Sequence, residues 1–402
     1  MSDSPAFVLD VSRLVSRADR PSPTGIDRVE LEEAGKALRR TGEVFFYATR
    51  GQRSWFLQRE QIAALTSTLQ ERWSKGTEEG AKVARELYAF LGAGAPPSEN
   101  LSAVEAPKLD GPRAPVSILR SRRADSYLSD SANAVTYRNV SHHHLDKDGF
   151  LEGLKERWGA EIDLFWHDAI PITFPEYSKD GDAAKHEKRL RALLRSADRV
   201  EVNSEATHDE LTGLAERFGL PVPPVSVTPL SAGLPTDIEP LQANRPYFIC
   251  VGTIEPRKNH GLLLQVWRDI ASELGADTPA LVLAGRRGWM NSDTFALIDR
   301  CPALRDHVFE APALSDRALA SAIAGARALL MPSFAEGFGL PIVEAEALGT
   351  PVVASDLHVF HEVSNSPFEA VSPLAGDRWR EVIISFCGNK GSTLRGAASL
   401  GS

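Results

Sequence analysis

Short apolar runs alternate with stretches of helical period along almost the whole chain. Phe7 to Ser12 (FVLDVS) and Val44 to Ala48 (VFFYA) have the length and composition of buried strands. Between them, PSPTGIDRVELEEAGKALRR reads as a turn and then a helix with Gly25 near its start. Residues 58–90 are helical in pattern, and residues 92–115, rich in Gly, Pro and Ala, read as a loop or lid. From Ala134 the alternation is regular: strand AVTYRNV, helix GFLEGLKERW, strand EIDLFWHD, helix AAKHEKRLRALLRSA, strand RVEVNS, helix EATHDELTGLAERF, strand VSVTPL. Strands spaced by helices in this way are the rhythm of a mostly parallel sheet.

Ser231 to Pro246 is polar, carries prolines and has no period, which makes it the expected interdomain linker. A second series follows, with strands YFICVGTI, ALVLAG, HVFEA, ARALLMPS and TPVVASD, and helices near Asn259–Leu274, Asp293–Asp299, Ser315–Ala324 and Leu340–Leu348. The expected fold class is therefore α/β, with two Rossmann-like doubly wound domains, 1–235 and 236–402. Ligands of such sheets bind outside the carboxyl ends of the strands, so the expected site is a cleft faced by both domains. The stretch after Ser372 has room for one helix and then a Gly- and Ser-rich end.

At 402 residues the chain exceeds one ordinary core, which agrees with two domains. A net charge of -9 argues against nucleic acid as a partner. Cys250, Cys301 and Cys387 have no paired spacing and fit reduced thiols in a cytosol. The N-terminus lacks a basic segment followed by a long apolar one, and no run approaches a membrane span, so a cytoplasmic location is expected. Lys185 to Arg195 (KHEKRLRALLR) sets five basic residues beside Leu190, Leu193 and Leu194. It reads either as a helix packed by its leucines or as a contact with the inner membrane surface.

Candidate chemistry concentrates around EGFGLPIVE, bracketed by Glu336 and Glu344. An apolar strand ends before it, a glycine-rich loop offers unblocked backbone amides, and a helix begins with Pro341 in its first turn. If the span were helical throughout, the two carboxylates would stand about 12 Å apart. The carboxylates of a glycosidase flank one bond at roughly 5 to 9.5 Å, so this pair fits a grip on separate parts of one long ligand.

PSFAEGFGLPIVEAEALGTPVVASD resembles the donor-site signature of retaining GT-B glycosyltransferases of family 4. VGTIEPRKNH and LVLAGRRGW are similar to the segments preceding that signature in the same enzymes. FWHDAIPI and ADRVEVNSEAT resemble their N-terminal half. The resemblance implies that Arg257 and Lys258 bind the donor diphosphate, the chemistry two cations after a strand would supply. It also implies that Glu336 contacts the donor sugar, that Gly337, Phe338, Gly339 and Leu340 line the donor, and that Glu344 takes the ribose hydroxyls. Gly252 belongs to the same donor loop, and Ala313 and Leu314, within FEAPALSDRAL, occupy the nucleobase loop.

In the N-terminal half the resemblance sets His167 against the reacting sugar, with Asp168 as its supporting partner. Gly25 matches a glycine loop near donor phosphate or acceptor. Here the chain departs from the family pattern GGIGR, with Thr24 and Asp27 in two of its places, and Asp27 then needs a cation such as Arg28. His142 and His144 would share one face of a strand, yet zinc needs three or four ligands, so that cluster reads as structural or acceptor-side. The two DxD pairs, Asp146 with Asp148 and Asp180 with Asp182, read as helix caps.

The resemblance thus implies a retaining, metal-independent hexosyltransferase without cofactor, acting on a nucleotide-diphosphate sugar and a glycan or lipid-linked acceptor in bacterial surface polysaccharide synthesis. The HDAIPI and EPRKNH segments are similar to those of bacterial mannosyltransferases, which favours GDP-mannose. The rivals are a GT-B sugar-nucleotide epimerase or hydrolase, and a non-catalytic sugar-nucleotide-binding subunit.

Overall fold

The computed structural model describes residues 5–20, 22–96, 107–130 and 134–388. These divide into two compact units, one from the described parts of Met1–Trp73 and Val104–Leu230, the other from those of Ser74–Ala103 and Ser231–Ser402.

In the first unit the described strands are β1 (Ala6–Asp10), β2 (Val44–Arg50), β3 (Arg53–Leu57), β4 (Val135–Asn139), β5 (Ala160–Trp166), β6 (Arg199–Val202) and β7 (Val225–Val227). They form one sheet in the order β3-β2-β1-β4-β5-β6-β7. Every pair is parallel except β2 with β3. β1 and β4 are buried along their whole length because helices cover both faces of a parallel sheet; β1 is apolar up to Asp10, whereas β4 (VTYRN) buries Arg138, which pairs with Asp163 at 2.6 Å. The core gathers Trp166, Tyr137 and Leu164 with Leu190, Leu193 and Leu194 of the helix Asp182–Ser196. The leucines of the basic segment are therefore core residues, and its packed reading holds.

The second unit contains β8 (Tyr247–Val251), β9 (Ala280–Ala284), β10 (Val308–Glu310), β11 (Leu329–Met331), β12 (Val352–Ser355) and β13 (Glu369–Val371), all parallel, in the order β10-β9-β8-β11-β12-β13. Trp267, Phe248 and Trp379 are fully buried in its core, the last from the helix Gly376–Gly388. The Gly- and Ser-rich end expected beyond that helix lies outside the described residues. Among the described residues, no helix is long and apolar enough to cross a membrane.

Several elements depart from the sequence expectation. The helical pattern over residues 58–90 is two helices, Arg59–Lys75 and Glu78–Phe90, separated at Gly76, whose φ of +82° a side-chain-bearing residue rarely adopts. Thr77 then caps the second helix by accepting from the Gly80 amide at 3.2 Å. That helix groups with the second unit rather than with the rest of 1–235. Tyr88 Oη meets Ser321 Oγ at 3.1 Å, Phe90 packs on Phe309 at 5.2 Å, and a Cβ on Gly80 would fall 2.3 Å from the Ala313 carbonyl oxygen. Residues 107–114 are irregular, while the loop expectation for 97–106 lies outside the described residues. The antiparallel β3 and the helix Pro115–Asp130 are further elements that the periodicity did not mark.

Candidate functional site

In each sheet the strand order reverses once, between β1 and β4 and between β8 and β11. Loops leaving two neighbouring strands diverge at such a point and open a crevice at the carboxyl ends.

In the second unit, the loops beyond β8 and β11 carry the charged residues picked out in the sequence. Gly252 leaves β8 at φ +137°, and its carbonyl passes so close to Gly285 that a Cβ there would lie 1.8 Å from the oxygen. The Lys258 side chain folds back over Gly252, where a Cβ would come within 3.2 Å of Lys258 Cε. Phe334 N–H donates to the Arg257 carbonyl at 2.9 Å, tying the two loops together. Arg257 Nη1 stands 2.6 Å from Glu336 Oε2 and donates to the Ala335 carbonyl at 2.7 Å. Its Nε and Nη2 reach Glu255 Oε1 at 3.0 and 2.9 Å. Lys258 Nζ pairs with Glu336 Oε1, which also accepts from Ser333 Oγ at 2.8 Å.

Two cations and two carboxylates thus share one partly buried cluster. Burial alone would raise the Glu336 carboxyl, but Arg257 and Lys258 pull it down to about 2. Burial raises Glu255, with Glu336 adding to the rise, against the pull of the same two cations. Glu336 is the fully ionised partner, held by salt bridges and a hydroxyl.

Gly337 to Gly339 lead from this cluster into the helix Leu340–Ala347, with Pro341 in its first turn and Gly339 at φ +101°. Glu344 lies just over one turn into that helix and is buried. Ala313 is buried and Leu314 half-buried in the loop after β10. The structure therefore joins Arg257, Lys258, Glu336 and Gly252 at the β8/β11 reversal. It adds Glu255 and Ser333, which the sequence reading missed. Their signals were local: a carboxylate two residues before Arg257, and a hydroxyl three residues before Glu336.

In the first unit, His167 directly follows β5 and is buried. Its Nε2 lies 2.7 Å from the Val140 carbonyl, which only accepts, so Nε2 carries the proton and Nδ1 is the acceptor. Burial lowers its pKa to about 4, keeping the ring neutral. Asn203 Nδ2 fixes the His167 carbonyl at 2.9 Å. The Asp168 carboxylate accepts from the Ile170 amide at 3.2 Å and so shapes the following turn, while the ring it was expected to support is held by Val140.

Gly25 opens the helix Gly25–Arg39, and no atom lies within 4 Å of where its Cβ would be. Thr24 and Asp27 form a capping box at that end, and Asp27 meets the cations of Arg13 at 2.6 Å and Arg17 at 3.9 Å. His142 and His144 lie beyond β4 at φ 59° and 64°, so they do not share a strand face. His142 instead stacks on Trp166 at 4.4 Å. The cap reading of the DxD pairs also fails. The helices Phe150–Trp158 and Asp182–Ser196 begin after glycines without side-chain caps, and Asp146 pairs with Arg189 at 3.2 Å.

The β1/β4 reversal holds two acids the sequence reading passed over. Asp10 Oδ2 accepts from Tyr137 Oη at 2.6 Å, and Glu30 Oε1 accepts from the Leu14 amide at 3.0 Å. Both acids are fully buried, and burial pushes the Glu30 carboxyl up to about 8. The signal was periodicity, since Asp27, Glu30, Ala34 and Ala37 all lie on the buried face of one helix.

Residues 236–370, all within the second unit, match the family model described as glycosyl transferases group 1. The chain is 32% identical over 223 residues to the serotype-specific mannosyltransferase WbdA of Escherichia coli, covering 51% of this chain and 27% of that protein. It is 31% identical over 241 residues to O-antigen chain mannosyltransferase B of Escherichia coli, covering 54% of this chain and 62% of that protein. The chain thus spans between about a quarter and under two thirds of the length of these curated relatives. Sucrose-phosphate synthase from Thermosynechococcus elongatus superposes with a TM-score of 0.58 at 15% identity, over 96% of this chain and 90% of that one. A trehalose 6-phosphate synthase from Burkholderia multivorans gives 0.55 at 12% identity, over 98% and 92%. The fold is that of the GT-B glycosyltransferases, with two parallel-sheet α/β domains.

Proposed function

We propose that the protein is a retaining glycosyltransferase that moves a hexose, mannose by preference, from a nucleotide-diphosphate sugar to a glycan or lipid-linked acceptor in surface polysaccharide synthesis. The observation that carries this reading is the partly buried cluster of Glu336 with Arg257 and Lys258 at the β8/β11 reversal, immediately before the glycine-rich start of the helix bearing Glu344. The names of the mannosyltransferase relatives support the sugar and the pathway class.

In this reaction the bond between the anomeric carbon and the diphosphate breaks, and its electron pair leaves with the phosphate oxygen. Arg257 and Lys258 take up that charge, the work a metal does elsewhere, so the reaction is proposed to need none. The acceptor hydroxyl bonds to the anomeric carbon on the face the diphosphate leaves, and its proton passes to the departing phosphate. Glu336 orients the sugar, Gly337 to Leu340 line the donor, and Glu344 holds the ribose, so that remote binding energy positions the reacting carbon. Gly252 lets Lys258 lie close to the strand end, while Ala313 and Leu314 border the base. His167, with its proton fixed on Nε2, offers Nδ1 to a sugar hydroxyl, and Asp168 and Gly25 shape the acceptor side. The proposed location is the cytoplasm, with peripheral contact to the inner membrane.

Calorimetric titration with GDP-, UDP-, dTDP- and ADP-sugars, with and without EDTA, tests the reading. Tight binding of one nucleotide, unchanged by EDTA and weakened in Glu344→Ala, supports it. No binding of any of them rejects it.

A further inference from the structure

The helix Pro115–Asp130 is built the wrong way round for an ordinary surface helix. Its inward positions are Ser117, Ala124 and Leu128, with Ser121 half-buried and accepting from the Phe56 amide at 3.1 Å. Its outward positions include Val116 at 59%, Leu119 at 53% and Ile118 at 44% exposure. Of the eight exposed large hydrophobic residues among the described residues, four lie on this helix, the three above and Tyr127. At 100° per residue Leu119 sits near the middle of the outer face with Arg122 and Arg123 on either side of it. Both arginines are exposed, and neither pairs with a carboxylate among the described residues. Two of the nearby acids are held by other arginines, Asp110 by Arg120 at 3.3 Å and Asp125 by Arg157 at 3.3 Å, and Asp130, at the far end of the same outer face, accepts from Ser126 Oγ at 3.0 Å.

An outer face of aliphatic side chains flanked by free guanidinium groups complements a surface that is apolar below and anionic above. We infer that this helix docks the protein on an anionic lipid surface, with Val116 and Leu119 entering the acyl boundary and Arg122 and Arg123 on the headgroup phosphates. The basic helix Asp182–Ser196 does not serve, because its leucines are spent in the core. The inference does not rest on the chemistry assigned to Glu336 or Glu344, and its failure leaves that assignment standing.

Flotation of the full-length protein with vesicles of phosphatidylethanolamine and phosphatidylglycerol, beside vesicles of phosphatidylcholine alone, tests it. Binding is expected on the anionic vesicles and to fall with salt. Each basic residue contributes roughly fivefold at such a surface, so R122S/R123S is expected to weaken binding about 25-fold. L119S is expected to weaken it on anionic vesicles without changing the melting curve, since the position is exposed. Equal binding to both vesicle types, no binding at all, or binding indifferent to both variants would overturn the inference. So would concentration-dependent self-association abolished by L119S, which would assign the face to a second copy of the chain.

Discussion

Lys258 and Glu336 are 78 residues apart in sequence and joined by a salt bridge in the fold. Adjacent Arg257 takes the other carboxylate oxygen at 2.6 Å. The contact exists because β8 and β11 are parallel neighbours, so their carboxyl-terminal loops leave the sheet side by side. The two cations are not a free anion site. They are balanced by Glu255 and Glu336, and a diphosphate must share them.

That sharing gives the first prediction. Glu336→Gln keeps the shape and removes one of the two competing carboxylates, so donor affinity is expected to hold or improve while turnover falls by a hundredfold or more. Steady-state kinetics with calorimetric donor binding checks this, and a loss of affinity with turnover unchanged would put Glu336 in binding alone.

The second prediction concerns acid. The folded pKa of Glu336, about 2, lies below its ordinary 4.5, so its ion pairs stabilise the fold fully above pH 4.5 and are lost as pH falls toward 2. The shift corresponds to roughly 3 kcal/mol. The stability gap between wild type and Glu336→Gln, from denaturant unfolding, is expected to narrow over that interval. A gap constant with pH would mean the charge contributes nothing.

Glu30 carries the opposite sign. Its folded pKa is raised to about 8, so the folded protein holds a proton that the unfolded chain releases above about 4.5. Stability from this residue is full below pH 4.5 and declines up to pH 8, with a slope of at most about 1.4 kcal/mol per pH unit. Glu30→Gln should abolish this decline and be the more stable protein at pH 8. His167 contributes a rise with pH between about 4 and its ordinary 6.5, so the comparison must be made as a difference between the two proteins.

Glu344→Ala should raise the donor dissociation constant at least tenfold and leave the turnover of bound donor within a few fold. A fall in turnover with unchanged affinity would contradict the ribose role.

Two glycines near the two strand-order reversals are expected to behave differently. Gly339 adopts φ +101°, and a Cβ there would lie 2.8 Å from the buried Phe360 ring, so Gly339→Ala should cost about 1–3 kcal/mol in thermal or chemical unfolding. Gly25 has an ordinary φ and open space around it, so Gly25→Ala should leave stability nearly unchanged. Any loss of activity in that variant then reports on a ligand near the helix start.

The sequence by itself determined the alternation of strands and helices and the place of the glycine-rich loop. Parallel strands such as YFICV and ALVLA are buried on both faces and must be apolar throughout, so their signal is local. It also marked Arg257, Lys258, Glu336 and Glu344, because residue type and position after a strand are local facts. It did not reveal β3, an antiparallel edge strand whose first two residues are exposed, or the helix Pro115–Asp130, whose buried face is mostly serine and alanine. Tertiary structure alone decided which charges meet. Asp27 took Arg13 from the preceding helix, Glu336 took two cations from another loop, and Glu30 went into the core. Such pairings depend on strand order and burial, which join residues far apart in the chain and which no window of sequence contains.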